Sequence, residues 1–317
     1  MRIRTALLAG LLSGFFVGPA FAVTFQSGDV FASVNNGEVQ VYRAGALIQT
    51  LNTGQGGFTT GSTTDAAGNF YVTNFSAGSV SKFDPSGVGL GIAASGYNLP
   101  ESIVFAQNGT AYVSQVGGTS IGTFTNPNAV PVGARTDWID LAANQTTILY
   151  TNEGNTIFKT TTAGAALTPF ATSLPGTNAF ALRILADGSV LVADSQFALH
   201  LDALGNILKT YTVANVQSLF ALNINPDGTS FWTGDDGTGI LYEFDIATGN
   251  LLSTLDTGVG GGNLFGVSVY GEFQAGGGGV GGSDTPLPAA LPLFATGLGA
   301  LGLLARRRKR KRVSIAH

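Results

Sequence analysis

Asp65-Ala-Ala-Gly-Asn-Phe-Tyr-Val-Thr-Asn74, followed by Gly78-Ser-Val-Ser-Lys-Phe-Asp-Pro-Ser-Gly87, is the stretch that decides the fold. A glycine turn leads into a short alternating strand, and a second turn leads into another. The same phrase returns at Gln107-Asn-Gly-Thr-Ala-Tyr-Val-Ser-Gln115, Ala186-Asp-Gly-Ser-Val-Leu-Val-Ala-Asp194 and Pro226-Asp-Gly-Thr-Ser-Phe-Trp-Thr-Gly234. Its turn glycines fall at 68, 109, 188 and 228, with one altered copy at 143–152 where Asn144-Gln145 replaces the glycine turn. Asp-Gly and Asn-Gly between alternating apolar runs mark hairpins, because such turns need positive φ. A repeat of roughly 40 residues built from short strands is the pattern of β-propeller blades.

Each repeat reads as four strands, lettered a to d from the axis outward. Strand a precedes the glycine turn and strand b follows it; strand c is the run around Phe83, Phe158 or Phe244, and strand d closes the blade. Five blades are expected near 56–96, 97–132, 133–175, 176–214 and 215–258. The ends are complementary: 28–51 supplies strands b, c and d without a strand a, and 263–273 supplies a strand a with nothing after it. An unpaired inner strand would leave a row of backbone donors and acceptors open. The two fragments are therefore expected to share a sixth blade, with Leu264–Tyr270 beside Val30–Val34. The predicted fold class is all-β, a six-bladed propeller over 23–273 closed by its N- and C-terminal strands.

Composition agrees with an exported all-β domain. The chain has 317 residues, 46 Gly, no Cys and 11% charged residues. Without Cys there is no disulfide framework, so stability must come from burial. The formal charge of −4 hides an asymmetry, since nine of the 15 basic residues are Arg2, Arg4 and the cluster 306–312. Between Val23 and Ser283 stand six basic and 18 acidic residues, a formal −12. An acidic globule of this kind excludes nucleic acid as a partner of the folded part.

The flanks read as address labels. Residues 1–22 have the form of a signal peptide: Arg2 and Arg4, the apolar stretch Ala6–Val17, and Ala20-Phe21-Ala22 as a cleavage site. Residues 274–283, mostly glycine, read as a flexible linker. Leu287–Ala305 carries no charge and is long enough to cross a bilayer as a helix. The basic cluster 306–312 behind it would remain on the cytoplasmic side, placing the propeller outside. Residues 313–317 form a short tail.

Two resemblances are carried by these residues. Asn98-Leu-Pro-Glu-Ser-Ile-Val-Phe followed by Asn108-Gly-Thr-Ala-Tyr-Val-Ser is similar to the repeat of NHL-type propellers and the virginiamycin B lyase-like group, over roughly 28–273. The order of linker, prolines, apolar helix and arginines over 284–312 resembles the bacterial PEP-CTERM sorting signal. That likeness implies an exosortase-type processing enzyme and the cytoplasmic membrane as partners. The sorting motif falls on Pro286, Leu287, Pro288, Arg306, Arg307 and Arg308; Pro286-Leu287-Pro288 stands where Pro-Glu-Pro is usual.

Chemistry is expected at the end of the axis where b–c turns and d–a loops meet. The b–c turns supply Asn74, Gln115, Asn152 and Asp194, with Asn35 and Asp235 one place later; Asn and Asp in such places make turns. Starts of inner strands supply Glu101, Arg135, Asp137, Asn178 and Asn263, the candidate ligand or metal residues. Their oxygens would suit Ca²⁺. The lyase-like resemblance implies a His and a Glu with a divalent ion, yet of the two histidines His317 is in the tail and His200 sits on a strand c. No catalytic residue is assigned. The expected function is a non-catalytic binding module of the envelope or matrix. The sorting resemblance points to extracellular polysaccharide as its ligand. The alternative is a metal-dependent lyase or lactonase acting at the mouth.

Overall fold

The structure is a computed structural model, and it describes residues 23–164 and 168–280. The expected signal peptide, spanning helix and basic cluster lie outside these residues. Among the described residues the chain forms six four-stranded antiparallel sheets and no helix. The inner strands are Thr59–Thr64, Pro100–Phe105, Ile139–Leu141, Ala179–Ile184 and Leu219–Ile224 in blades one to five, and Leu264–Val269 in the sixth. The sixth is composite: Leu264–Val269 pairs with Val30–Val34, Val30 opposite Val269 and Ala32 opposite Val267.

Turn chemistry acts as the repeat predicts. Gly68, Gly109, Gly188 and Gly228 take φ between 69° and 82°, and in the altered copy Gln145 itself adopts φ 60°. Gln145 is held there by a hydrogen bond from its Nε2 to the Gly276 carbonyl at 2.6 Å. The blades pack through their faces. Val30, Ala32 and Val34 of the composite blade join Ala221, Trp232, Leu241 and Leu255 of blade five in one buried cluster. On its other face Phe31 stacks on Phe70 of blade one, ring centroids 4.5 Å apart, with Phe25 edge-on against Phe31.

The structure departs from the sequence expectation after Tyr270. Residues 274–280 do not hang free as a linker: Gln274 and Ala275 are buried, and the chain lies across the a–b turn end of the axis. Gly277 makes a β-bridge with Ala106, and Gly276, Gly278 and Gly279 run against the ends of the inner strands of blades three, two and one. Absence of Cβ is what permits this. A Cβ on Gly278 would stand 2.2 Å from the Phe105 carbonyl oxygen, and one on Gly276 2.8 Å from that of Leu141. Composition identifies a stretch with no side chains to pack, but the same property lets backbone lie on backbone.

Beneath this segment sits a buried polar knot. Glu272 Oε1 accepts from Thr63 Oγ1 at 2.6 Å and from Gln274 Nε2 at 2.5 Å. Arg183 reaches Glu272 Oε2 at 3.7 Å, and its guanidinium lies over the Trp138 ring, 5.8 Å from the centroid. Asp140 Oδ2 accepts from the Ile184 N–H at 2.8 Å. Burial pushes Asp140 up to about 6, against the pull of Arg183. The plug and the knot close the a–b turn end, which leaves the opposite end, where b–c turns and d–a loops meet, as the candidate mouth.

Candidate binding site at the propeller mouth

The mouth is built from equivalent register positions. Thr59, Pro100, Ala179 and Leu219 open their inner strands opposite Asn74, Gln115, Asp194 and Asp235. The next residue in each is Thr60, Glu101, Phe180 and Phe220. Phe265 follows Leu264 in the composite blade. In blade three Asp137 holds this place, since Trp138 N–H donates to Thr151 Oγ1 as Ser102 N–H donates to Ser114 Oγ. One level of the mouth is thus polar on blades one to three and aromatic on blades four, five and the composite blade. The aromatic side holds two ring pairs: Phe180 and Phe220 stand 4.8 Å apart, and Phe265 meets Phe58, which precedes the inner strand of blade one, at 4.4 Å.

Glu101, Arg135 and Asp137 stand close together, and a fourth residue joins them. Arg135 Nη2 bridges Asp137 Oδ1 at 3.1 Å and Glu153 Oε2 at 2.5 Å. Glu101 is 3% exposed, and its Oε1 has no hydrogen-bond partner among the described residues. Burial, then the carboxylates of Asp137 and Glu153, push Glu101 well above the usual carboxylate range while Arg135 opposes them. Burial first and Glu153 second raise Asp137 to about 7, again against Arg135. Two buried carboxyls, both raised above the usual carboxylate range, therefore stand beside one guanidinium.

The remaining candidates do not enter this cluster. Asn178 Nδ2 donates to the Glu153 carbonyl at 2.6 Å, so it braces the loop that presents Glu153. Asn263 is bound within the composite blade, to Asn35 at 2.5 Å and to the carbonyls of Val259 and Gly261. The expected oxygen set Glu101, Asp137, Asn178 and Asn263 therefore does not assemble. Among the described residues no three His, Asp or Glu side chains are grouped to hold a metal ion. In the mouth the positive charge between the carboxylates is the guanidinium of Arg135. The His and divalent ion implied by the lyase-like resemblance find no fit here. His200 is on a strand c, half-buried, with Nε2 2.9 Å from Ser189 Oγ in its own blade.

The b–c residues shape loops. Asn74 Nδ2 donates to Ser79 and Ser81, Gln115 Oε1 accepts from Asn98 N–H, and Asp194 from Gly176 N–H. Asp235, in the acid-glycine run 233–239, accepts from the backbone of Gln217, Ser218 and Gly237. Glu153 escaped the sequence reading because it follows Asn152 in the altered repeat, where a polar residue reads as turn chemistry. Its φ of 59° is that of a turn. A cavity of about 260 Å³ adjoins the mouth between blades four and five, lined by Asn178, Phe180, Gln196 and Gln217.

No protein-family model matches the chain, and no curated protein matches it in sequence. Solved structures do match in shape. A chain of a nidogen–laminin complex superposes with a TM-score of 0.63 at 14% identity, over 77% of this chain and 98% of that one. A protein from Bacteroides caccae gives 0.60 at 13% identity over 77% and 98%. Virginiamycin B lyase from Staphylococcus aureus gives 0.51 at 15% identity over 75% and 87%. What they share with this chain is the fold. It is a six-bladed β-propeller resembling the NHL and virginiamycin B lyase-like kind, and propellers of this shape serve unrelated functions.

Proposed function

We propose that this protein is a non-catalytic binding module that takes part of an extracellular polysaccharide at the mouth of its propeller. The observation that carries this is the divided mouth: buried carboxyls and Arg135 on one side, Phe180, Phe220, Phe265 and Phe58 on the other. Sugar rings present apolar C–H faces that suit aromatic rings, and hydroxyls that both donate to and accept from carboxyl and guanidinium groups.

Retention on polysaccharide extracted from the producing cells tests the proposal. Arg135→Ala is expected to weaken binding at least about tenfold, roughly 1.4 kcal/mol. Glu101→Gln is expected to weaken it too, without lowering stability. Folding raises Glu101 above its ordinary range, so ionising it costs stability as the pH rises through that range, and a glutamine removes this cost. Parental binding by both variants would place the ligand elsewhere.

The same proposal includes delivery. The chain is exported by residues 1–22 and held by 287–305 until an exosortase-type enzyme cuts near Pro286–Pro288. Deleting Arg306–Arg312 removes the charges that orient the helix. The expected result is an unprocessed or mislocalised product in fractionated cells; parental processing would refute the sorting role.

A further inference from the structure

At the a–b turn end, on the flank between blade five and the composite blade, lies a groove of about 510 Å³. This is within the range of roughly 300–1,000 Å³ that small-molecule sites occupy. One wall is a row of three directly opposed residues, Trp232 on strand b, Glu243 on strand c and Ser253 on strand d. Opposed residues share a face, and strands stand about 4.8 Å apart, so the row spans roughly 10 Å. The facing wall carries Tyr42 and Val30 of the composite blade.

The polar atoms of this row are only half used. Glu243 Oε1 accepts from Asn225 Nδ2 at 2.7 Å and from Ser230 Oγ at 3.2 Å, while among the described residues no hydrogen bond is made to Oε2. Trp232 is 8% exposed, lines the groove, and its indole N–H has no partner among the described residues. The Ser253 hydroxyl is likewise unbonded there. An indole donor, a carboxylate acceptor and a hydroxyl that does both thus alternate along one wall.

We propose that this groove is a second ligand site, for a neutral hydroxyl-rich ligand of the saccharide class. No Lys, Arg or His is among its lining residues, and Asp227 and Glu243 are, so an anionic ligand is repelled. A cation would use the acceptors and leave the indole and hydroxyl donors idle. Sugar hydroxyls, which donate and accept, use all of them. The site does not depend on the mouth reading, since the groove is bordered by the a–b turn residues Asn225 and Pro226 at the plugged end.

The chain has two tryptophans, Trp138 and Trp232, which allows a direct test. The full chain is labelled with fluorotryptophan and followed by fluorine NMR, the Trp232 resonance being assigned with Trp232→Phe. Probes are neutral tetrasaccharides of β-1,4-glucose, α-1,4-glucose and β-1,4-N-acetylglucosamine, a polyuronate, and a polyamine. Each is added to about 10 mM, tenfold above a weak Kd of ~1 mM. At least one neutral probe is expected to move the Trp232 resonance and leave that of Trp138, which is fully buried beside Arg183, in place. Glu243→Gln should weaken that response at least tenfold, and Ser253→Val, on the exposed outer strand, is the second variant should the first fail to fold. Glu101→Gln should leave it unchanged, which separates this site from the mouth. No response to any neutral probe, a response only to polyuronate or polyamine, or a response unaltered in both groove variants would overturn the proposal.

Discussion

Truncating the chain after Gly262 is expected to abolish the folded propeller rather than shorten it. The loss would remove the strand Leu264–Val269, whose Leu264, Val267 and Val269 are at most 2% exposed. Burying three such side chains is worth about 1.5–3 kcal/mol each. Together they approach the roughly 5–15 kcal/mol that a whole domain has to spare. The truncation also strips Val30–Val34 of its inner partner and exposes the flanks of blades one and five, against which the lost strand packs. Cooperative thermal unfolding, followed by circular dichroism, should vanish. A permuted chain carrying 263–280 ahead of Val23 on a flexible connection should recover it, because the pairing needs the strand and not its place in the chain. A truncated protein that melts like its parent would show that the shared blade does not hold the propeller together.

Replacing Glu272 with Ala is expected to cost about 3 kcal/mol or more, since removing one partner of a buried ion pair leaves the other charge uncompensated. Arg183 would keep Asp140 as its nearby acid, the Thr63 hydroxyl would lose its acceptor, and the Gln274 amide would be left with the Thr63 hydroxyl alone. For a domain of this size the corresponding fall in Tm is roughly 6–12 °C. Glu272→Gln, which retains an acceptor, should fall less. Gly278→Ala examines the same plug from its backbone side, because the new Cβ would meet the Phe105 carbonyl oxygen at 2.2 Å. The segment must then lift away, and limited proteolysis within 274–280 should follow. Were 274–280 a free linker, Gly278→Ala would change neither melting nor proteolysis, and that outcome would refute the plug.

The sequence alone determined what depends on neighbours in the chain. Positive φ at Gly68, Gly109, Gly188 and Gly228 and the alternation of the flanking strands are local requirements, written once per repeat. They gave the blade count, the letter order of strands and the composite blade shared by the two ends. Glu101 and Asp137 were legible for the same reason, being the carboxylic acids at one register position near the starts of the inner strands. Tertiary structure decided what depends on approach in space. Asn178 and Asn263 stand two residues ahead of that level, just before their inner strands, and their amides are taken by neighbouring loops, while Glu153 enters through a turn that points it at Arg135. The glycines of 274–280 illustrate the limit most plainly. A residue without Cβ serves equally for a chain in solvent and for backbone pressed on backbone, and only the inner-strand ends of blades one to three made the second the lower in energy.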